Sequence, residues 1–408
     1  MTRYPLFREK GRAMLFRYKG SYLSYIVFYT GYYAVFALFG SVLSVYLNGL
    51  GLSDQEMSLI LSAAGIFSFF VTPFSGYLHD RARNQKAVLA VTLALIAGLA
   101  MVFSACRGVG ALFLLNGLVM SLINSVSPVC ERIAGSSKYR YGVLRVWGTI
   151  GYAAGAQSAG LAVQHLPGWA LFGLTAGACG LCLIGLLGAQ VAPAAQPHDK
   201  APTGAGREKP PLSALLNSPP FFLFLAVGFL FAGCSSVNNN YAPILLGRLG
   251  VEAGGVGTVL FFSTLTEIPL ILFSHRFMDR LSGKVLTEAC LAMAIGQYLA
   301  YSLCRTAWAA VAVMVLVKAV CSTLYMMLSL KMVRCIVPAG LTTTGLAVVA
   351  TVNNLAGVAL QNLGGYAAGR WGMGALYGGM AVLCAGGMLL AAFLKVKNDE
   401  PVFSAPQF

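Results

Sequence analysis

The sequence predicts an all-α membrane protein of twelve transmembrane helices in two six-helix halves, with both termini cytoplasmic. Three observations carry this. The 408 residues are 58% hydrophobic and only 10% charged, too few charges to build a water-facing surface around a core. Twelve apolar stretches are each long enough to cross about 30 Å of hydrocarbon at ~1.5 Å rise per residue. A short basic turn with an Asp-Arg pair occurs twice, as Gly76-Tyr-Leu-His-Asp80-Arg81-Ala-Arg83-Asn-Gln-Lys86 and as His275-Arg276-Phe-Met-Asp279-Arg280-Leu-Ser-Gly283-Lys284. Asp80 and Asp279 stand 199 positions apart, close to half the chain, as a duplicated bundle requires.

Span 1 (22–47) follows a tail with six Lys/Arg and has no small-residue cleavage site, so it reads as a retained helix and not a signal peptide. Span 2 (58–78) runs into the first Asp-Arg turn and span 3 (87–105) leaves it. Spans 4 (111–130) and 5 (143–164) flank a second basic loop, and span 6 (169–191) closes the first half, 1–191. Residues 192–219, with Pro220 beside them, hold seven of the 16 prolines together with Asp199, Lys200, Arg207, Glu208 and Lys209, the composition of a cytoplasmic linker without a core. The second half, 220–408, repeats the pattern with span 7 (220–247), span 8 (254–274) entering the second Asp-Arg turn, and span 9 (285–304) leaving it. Spans 10 (307–330), 11 (342–368) and 12 (374–394) complete it.

The net charge of +15 is a topology signal. Of the 28 Lys/Arg, 23 lie in the tails, the linker and the loops after spans 2, 4, 8 and 10, whereas the opposite loops hold only Arg107, Arg248, Arg305 and Arg370. The positive-inside rule places the rich side in the cytoplasm, and no nucleic-acid footprint is implied. All ten cysteines lie in or at the ends of apolar spans. Cys179-Gly-Leu-Cys182 has metal or redox spacing but no nearby His, so these are read as small packing residues, with no metal and no disulfide. An enzyme is disfavoured, since no HExxH, acid pair or nucleotide loop is visible.

Two ionisable residues lie deep in spans, where a charge is costly and faces a cavity or a partner. Glu267, in span 8, is eight residues before His275, so about 12 Å from that edge. Lys318, in span 10, is thirteen residues from both Arg305 and Lys331, about 20 Å from either helix end, too far to reach water comfortably. A Glu267–Lys318 pair is therefore expected, with Glu267 as the proton-coupling carboxylate or as half of a structural ion pair. Every other acid falls in a loop, tail or span end. In span 1, Tyr22, Tyr25, Tyr29 and Tyr33 share one helical face, and the deeper Tyr29 and Tyr33 either pack or stack on a ring-shaped solute. Asn124, Asn238, Asn239 and Asn354 are candidate substrate-binding amides among many intramembrane Asn and Gln.

Ser53-Asp54-Gln-Glu-Met-Ser-Leu-Ile-Leu-Ser-Ala-Ala-Gly-Ile-Phe67-Ser68 with Pro73-Phe-Ser-Gly76 resembles span 2 of lactose permease and its relatives in the major facilitator superfamily. Tyr141-Gly142-Val-Leu-Arg145-Val-Trp147-Gly148-Thr149-Ile-Gly151 resembles the start of span 5 in the nucleoside, oligosaccharide and phenylpropionate proton symporters of that group. Glu267-Ile-Pro269 and Val315-Leu-Val-Lys318 extend the resemblance into the second half. It implies that Arg145 contacts substrate, whereas its position alone suits an interfacial anchor equally well. The acid partnering that arginine in lactose permease corresponds to Ser127 here, and Glu131 lies one turn further on. The acids of the lactose permease relay are replaced by Ser235, Asn238 and Leu324, so that relay does not carry over. The resemblance further implies a gate at Gly76, Asp80 and Arg81 and at Asp279 and Arg280, with His275 where the first copy has glycine.

The expected function is secondary active transport of a small polar organic solute (a sugar, nucleoside or aromatic acid) by proton symport, with a proton-driven exporter of the same fold as the alternative. Its partners are the substrate, the proton and the lipid bilayer. The chain is expected to work as a monomer in a bacterial cytoplasmic (inner) membrane, with no cofactor beyond the proton gradient.

Overall fold

The computed structural model describes residues 18–82, 84–135, 137, 139, 141–189, 218–270, 273, 278, 280–337 and 341–394. Among them the regular structure is helical, in the order α1 (Tyr22–Gly40), α2 (Leu43–Gly49), α3 (Asp54–Arg81), α4 (Gln85–Ala105), α5 (Val109–Gly135), α6 (Tyr141–His165), α7 (Trp169–Gly188), α8 (Pro219–Arg248) and α9 (Ala253–Leu265). Then follow α10 (Gly283–Leu303), α11 (Ala307–Val313), a π-helical turn at Met314–Lys318, α12 (Ala319–Ile336) and α13 (Thr342–Ala392). Nine helical stretches among the described residues are long and apolar enough to cross a membrane. α6 and α10 fall outside that set although their 25 and 21 residues suffice in length, because Arg145, Gln157 and Gln164 in one and Lys284, Glu288 and Gln297 in the other dilute their apolar character.

Helix starts follow local chemistry. The Ser21, Asn84 and Ser282 side chains accept from the amides of Ser24, Ala87 and Val285, capping α1, α4 and α10. Ser53 and Glu56 form a reciprocal capping box before α3, with Ser53 N donating to Glu56 Oε2 at 2.9 Å and Glu56 N to Ser53 Oγ at 3.3 Å. The largest departure from the expected spans is at the C-terminal end of the described residues. α13 has 51 residues, about 77 Å if straight, more than twice the hydrocarbon thickness. Gly372 breaks it with φ 82° and ψ 175°, a backbone conformation that a Cβ would strain. The expected loop around Arg370 is thus a continued helix up to that break, and Arg370 Nη1 donates to Tyr366 Oη at 3.1 Å, one turn back.

The described residues fall into two compact units. One is drawn from Met1–Leu43, Phe70–Ala201 and Ala253–Phe261, the other from Ser44–Phe69, Pro202–Glu252 and Phe262–Phe408. In the first, α1 packs on α6 and α7, and α4 on α5 and α7. Phe39, Phe103 and Phe172 meet there with ring centroids 5.2–5.9 Å apart. In the second, α8 and α10 both pack on α13, and α10 also packs on α12. Phe231 of α8 stacks on Tyr325 of α12 at 4.2 Å.

The two Asp-Arg turns are described in part. Gly76, Asp80 and Arg81 end α3, but their side chains, and all of Asp279, lie outside the described residues; Arg280 is exposed. Lys331, read from the sequence as a helix-end cation, is buried. Its Nζ donates to Met278 O at 2.8 Å and to Leu281 O at 2.7 Å, so an α12 ammonium holds the backbone on either side of the second Asp-Arg pair.

Candidate functional site

In the first unit, the tyrosine face of α1 meets α5 and α6. Pro128 removes a helical amide from α5, and two buried tyrosines anchor to carbonyls on either side of it. Tyr32 Oη donates to Ile123 O and Tyr29 Oη to Cys130 O, both at 3.0 Å. Tyr29, expected as a substrate contact, is fully buried, and its hydroxyl is engaged with backbone. Tyr33, one turn on, is only half-buried and donates to Glu131 Oε1 at 3.0 Å. The Arg145 guanidinium lies over the Tyr33 ring, 4.6 Å from its centroid, and its Nε is 3.9 Å from Glu131 Oε1. The Arg145 and Glu131 side chains are 30% and 34% exposed, so this charged pair is accessible as well as packed.

Glu131, one helical turn from Ser127 along α5, thus lies beside Arg145 and accepts from the phenol of Tyr33. What lets Tyr33 reach that position is Gly148. A Cβ there would stand 2.6 Å from the Tyr33 ring and 3.2 Å from Arg145 Nη1. Gly148→Ala should therefore displace the ring and open the cluster, lowering substrate affinity about tenfold, equivalent to ~1.4 kcal/mol, with a smaller change in melting temperature. Ligand titration of the purified variant checks this; unchanged affinity would show that the ring position is not needed.

In the second unit, Glu267 and Lys318 come within electrostatic range of each other, and both are half-buried. Each sits at an irregularity of its helix. α9 is interrupted by a turn at Thr266, immediately before Glu267, and Lys318 is the last residue of the π-helical turn. Of the expected amides in this unit, Asn238 is 3% exposed and its Oδ1 is buried with no hydrogen-bond partner among the described residues. Asn239 and Asn354 are exposed, and their neighbours make the bonds: Asn240 Nδ2 donates to Gln361 Oε1 at 3.0 Å, and Asn353 accepts from Tyr325 Oη at 3.4 Å. Asn124, in the first unit, is half-buried on α5.

One pair was not singled out from sequence. Arg248 Nη2, at the end of α8, donates to Asp54 Oδ1 and Oδ2 at the start of α3, both at 2.7 Å. Tyr241 Oη donates to Asp54 O at 3.0 Å, and Ser58 Oγ donates to Gln361 O. These bonds tie the first turns of α3 to α8 and α13 within one unit. Both charges lie in or beside loops opposite the basic ones, where an arginine is uncommon in this chain, and that scarcity was the available signal. With Arg248 39% exposed, the pair is screened by solvent, so Asp54→Asn should cost the fold only about 1 kcal/mol or less in a melting experiment.

The model of the MFS_1 like family matches residues 22–380. The chain belongs to that family. Its relatives are major facilitator transporters, not enzymes. The maltose permease of Geobacillus stearothermophilus is 26% identical over 86% of this chain and 89% of its own length. A protein of Escherichia coli (strain K12) named "Probable 3-phenylpropionic acid transporter" is 25% identical over 62% of this chain and 68% of its own. In three dimensions, a mutant of the nucleoside transporter NupG superposes with a TM-score of 0.77 at 16% identity, over 91% of this chain and 99% of that one. This MFS_1-like chain is therefore a multi-pass membrane transporter.

Proposed function

We propose that this MFS_1-like transporter moves a neutral, hydroxylated ring-shaped solute, a sugar or the sugar part of a nucleoside, by proton symport. The observation that carries the substrate class is the accessible Arg145–Tyr33–Glu131 cluster. A guanidinium donates to hydroxyl oxygens through a planar fork, a carboxylate accepts from hydroxyl groups, and an aromatic face takes the C–H side of a ring. An anionic aromatic acid would gain from Arg145 but meet the charge of Glu131, so it fits less well. The maltose and nucleoside transporters among the relatives agree with a hydroxylated solute.

In this reading the chain crosses a bacterial inner membrane twelve times with cytoplasmic termini and works as a monomer. Glu267, partnered by Lys318, binds and releases the proton. The Asp80 and Asp279 turns gate the cytoplasmic side as the cavity alternates. The test is uptake into proteoliposomes with an alkaline interior, offering maltose, uridine and 3-phenylpropionate separately. Accumulation of maltose or uridine above the outside concentration supports the reading. Accumulation of 3-phenylpropionate alone would overturn the substrate class, and uptake that ignores the pH gradient would overturn the coupling.

A further inference from the structure

We infer that Ser263 and Thr266 are positioning residues that hold the π-helical turn of the tenth span and so set Lys318 against Glu267. The inference deepens the proposed coupling reading and rests on it for its importance to transport. Ser263 Oγ donates to Met314 O at 2.9 Å. Thr266 Oγ1 lies 3.1 Å from Val315 O and 2.6 Å from Ser263 O. Met314 and Val315 are the first two residues of the π turn, and Lys318 is its last. The two hydroxyls therefore grip the turn at one end while the lysine leaves from the other.

The geometry has a physical reason. A π turn widens the helix, its backbone bonds run to the fifth residue, and its carbonyls fit their own helix poorly. In hydrocarbon a poorly satisfied carbonyl is costly, and a hydroxyl from the neighbouring helix is the cheapest remedy. Without these donors the segment should relax to α-helix. That change alters the winding between Met314 and Lys318 and turns the ammonium away from α9 by up to about one residue's rotation, ~100°. Thr266 is itself the turn residue that precedes Glu267, and its hydroxyl hydrogen is shared between Ser263 O and Val315 O. Ser263 is 3% exposed, and Thr266 is half-buried, which leaves little room for water to take over the bonds.

The test reads the pair directly and needs no substrate. Dicyclohexylcarbodiimide is an apolar reagent that couples to protonated carboxyl groups, and a carboxylate kept ionised by a facing ammonium resists it. Purified full-length protein at neutral pH is labelled, and the Glu267 peptide is followed by mass spectrometry. The double variant Ser263→Ala/Thr266→Val should label at Glu267 about fivefold faster than wild type or more, approaching Lys318→Met, because losing the partner favours the neutral acid. The hydroxyl-keeping variant Ser263→Thr/Thr266→Ser should stay near the wild-type rate. Should the double variant not fold, Ser263→Ala and Thr266→Val are read singly in the same way. Wild-type labelling in the hydroxyl-free variants, or equally fast labelling in the hydroxyl-keeping one, overturns the inference. Slow labelling in Lys318→Met overturns it too, by removing the pair. A failure of proton symport itself would appear instead in gradient-driven uptake.

Discussion

Replacing Glu267 with glutamine should abolish accumulation of substrate against its gradient while leaving binding and downhill exchange in place. Glutamine has the shape of the protonated acid and cannot release a proton, so a transporter that needs a neutral residue 267 to cycle still cycles but gains nothing from the pH difference. The expected loss is large. A pH difference of one unit corresponds to a tenfold accumulation, about 1.4 kcal/mol, per proton coupled, and all of it should vanish. The substitution also leaves Lys318 without its opposite charge, at a cost of roughly 3–5 kcal/mol if the ammonium stays dry and charged. Adding Lys318→Met to Glu267→Gln should recover part of that stability. The measurements are uptake with an alkaline interior, counterflow exchange, and melting of the single and double variants. Accumulation at the wild-type level in Glu267→Gln would remove the carboxylate from coupling, and strictly additive melting shifts would remove the pair.

Arg145→Ala should weaken substrate binding by about a hundredfold, close to 2.7 kcal/mol, the size expected of a lost charge-assisted bidentate contact in a partly dry site. Its cost to folding should be much smaller, because Glu131 is about one-third exposed and keeps its bond from Tyr33. Arg145→Lys should not restore affinity, since an ammonium lacks the planar fork and the flat face that lies over Tyr33. Glu131→Gln should fall between these, because an amide still accepts from a hydroxyl but without charge. Equilibrium titration with maltose and uridine separates the cases. Wild-type affinity in Arg145→Ala would move the binding site elsewhere, with Asn238, whose buried Oδ1 has no hydrogen-bond partner among the described residues, as the next place to look.

The helices and their membrane class were legible in the amino-acid order because they depend on local, additive quantities. Hydrocarbon accepts only long apolar helices, so run length sets the spans, and charge bias in the loops sets their expected orientation. The depth expected for Glu267 and Lys318 comes from counting residues along a helix, and the expectation that they pair from the cost of a lone charge. What counting could not supply was distance between segments far apart in the chain, or departures from ideal winding. Glu131 meets Arg145 and the hydroxyl of Tyr33, 98 positions away, only through the packing of their helices. Asp54 and Arg248, 194 positions apart, meet only once α3 lies beside α8. Lys331 reads as a helix-end cation in the sequence, and only the fold buries it against the carbonyls of Met278 and Leu281. The π turn before Lys318 leaves no mark in Met-Val-Leu-Val-Lys, since those residues suit an α-helix equally well. It exists where the hydroxyls of Ser263 and Thr266 reach its carbonyls, and that is a property of two packed helices, not of either one alone.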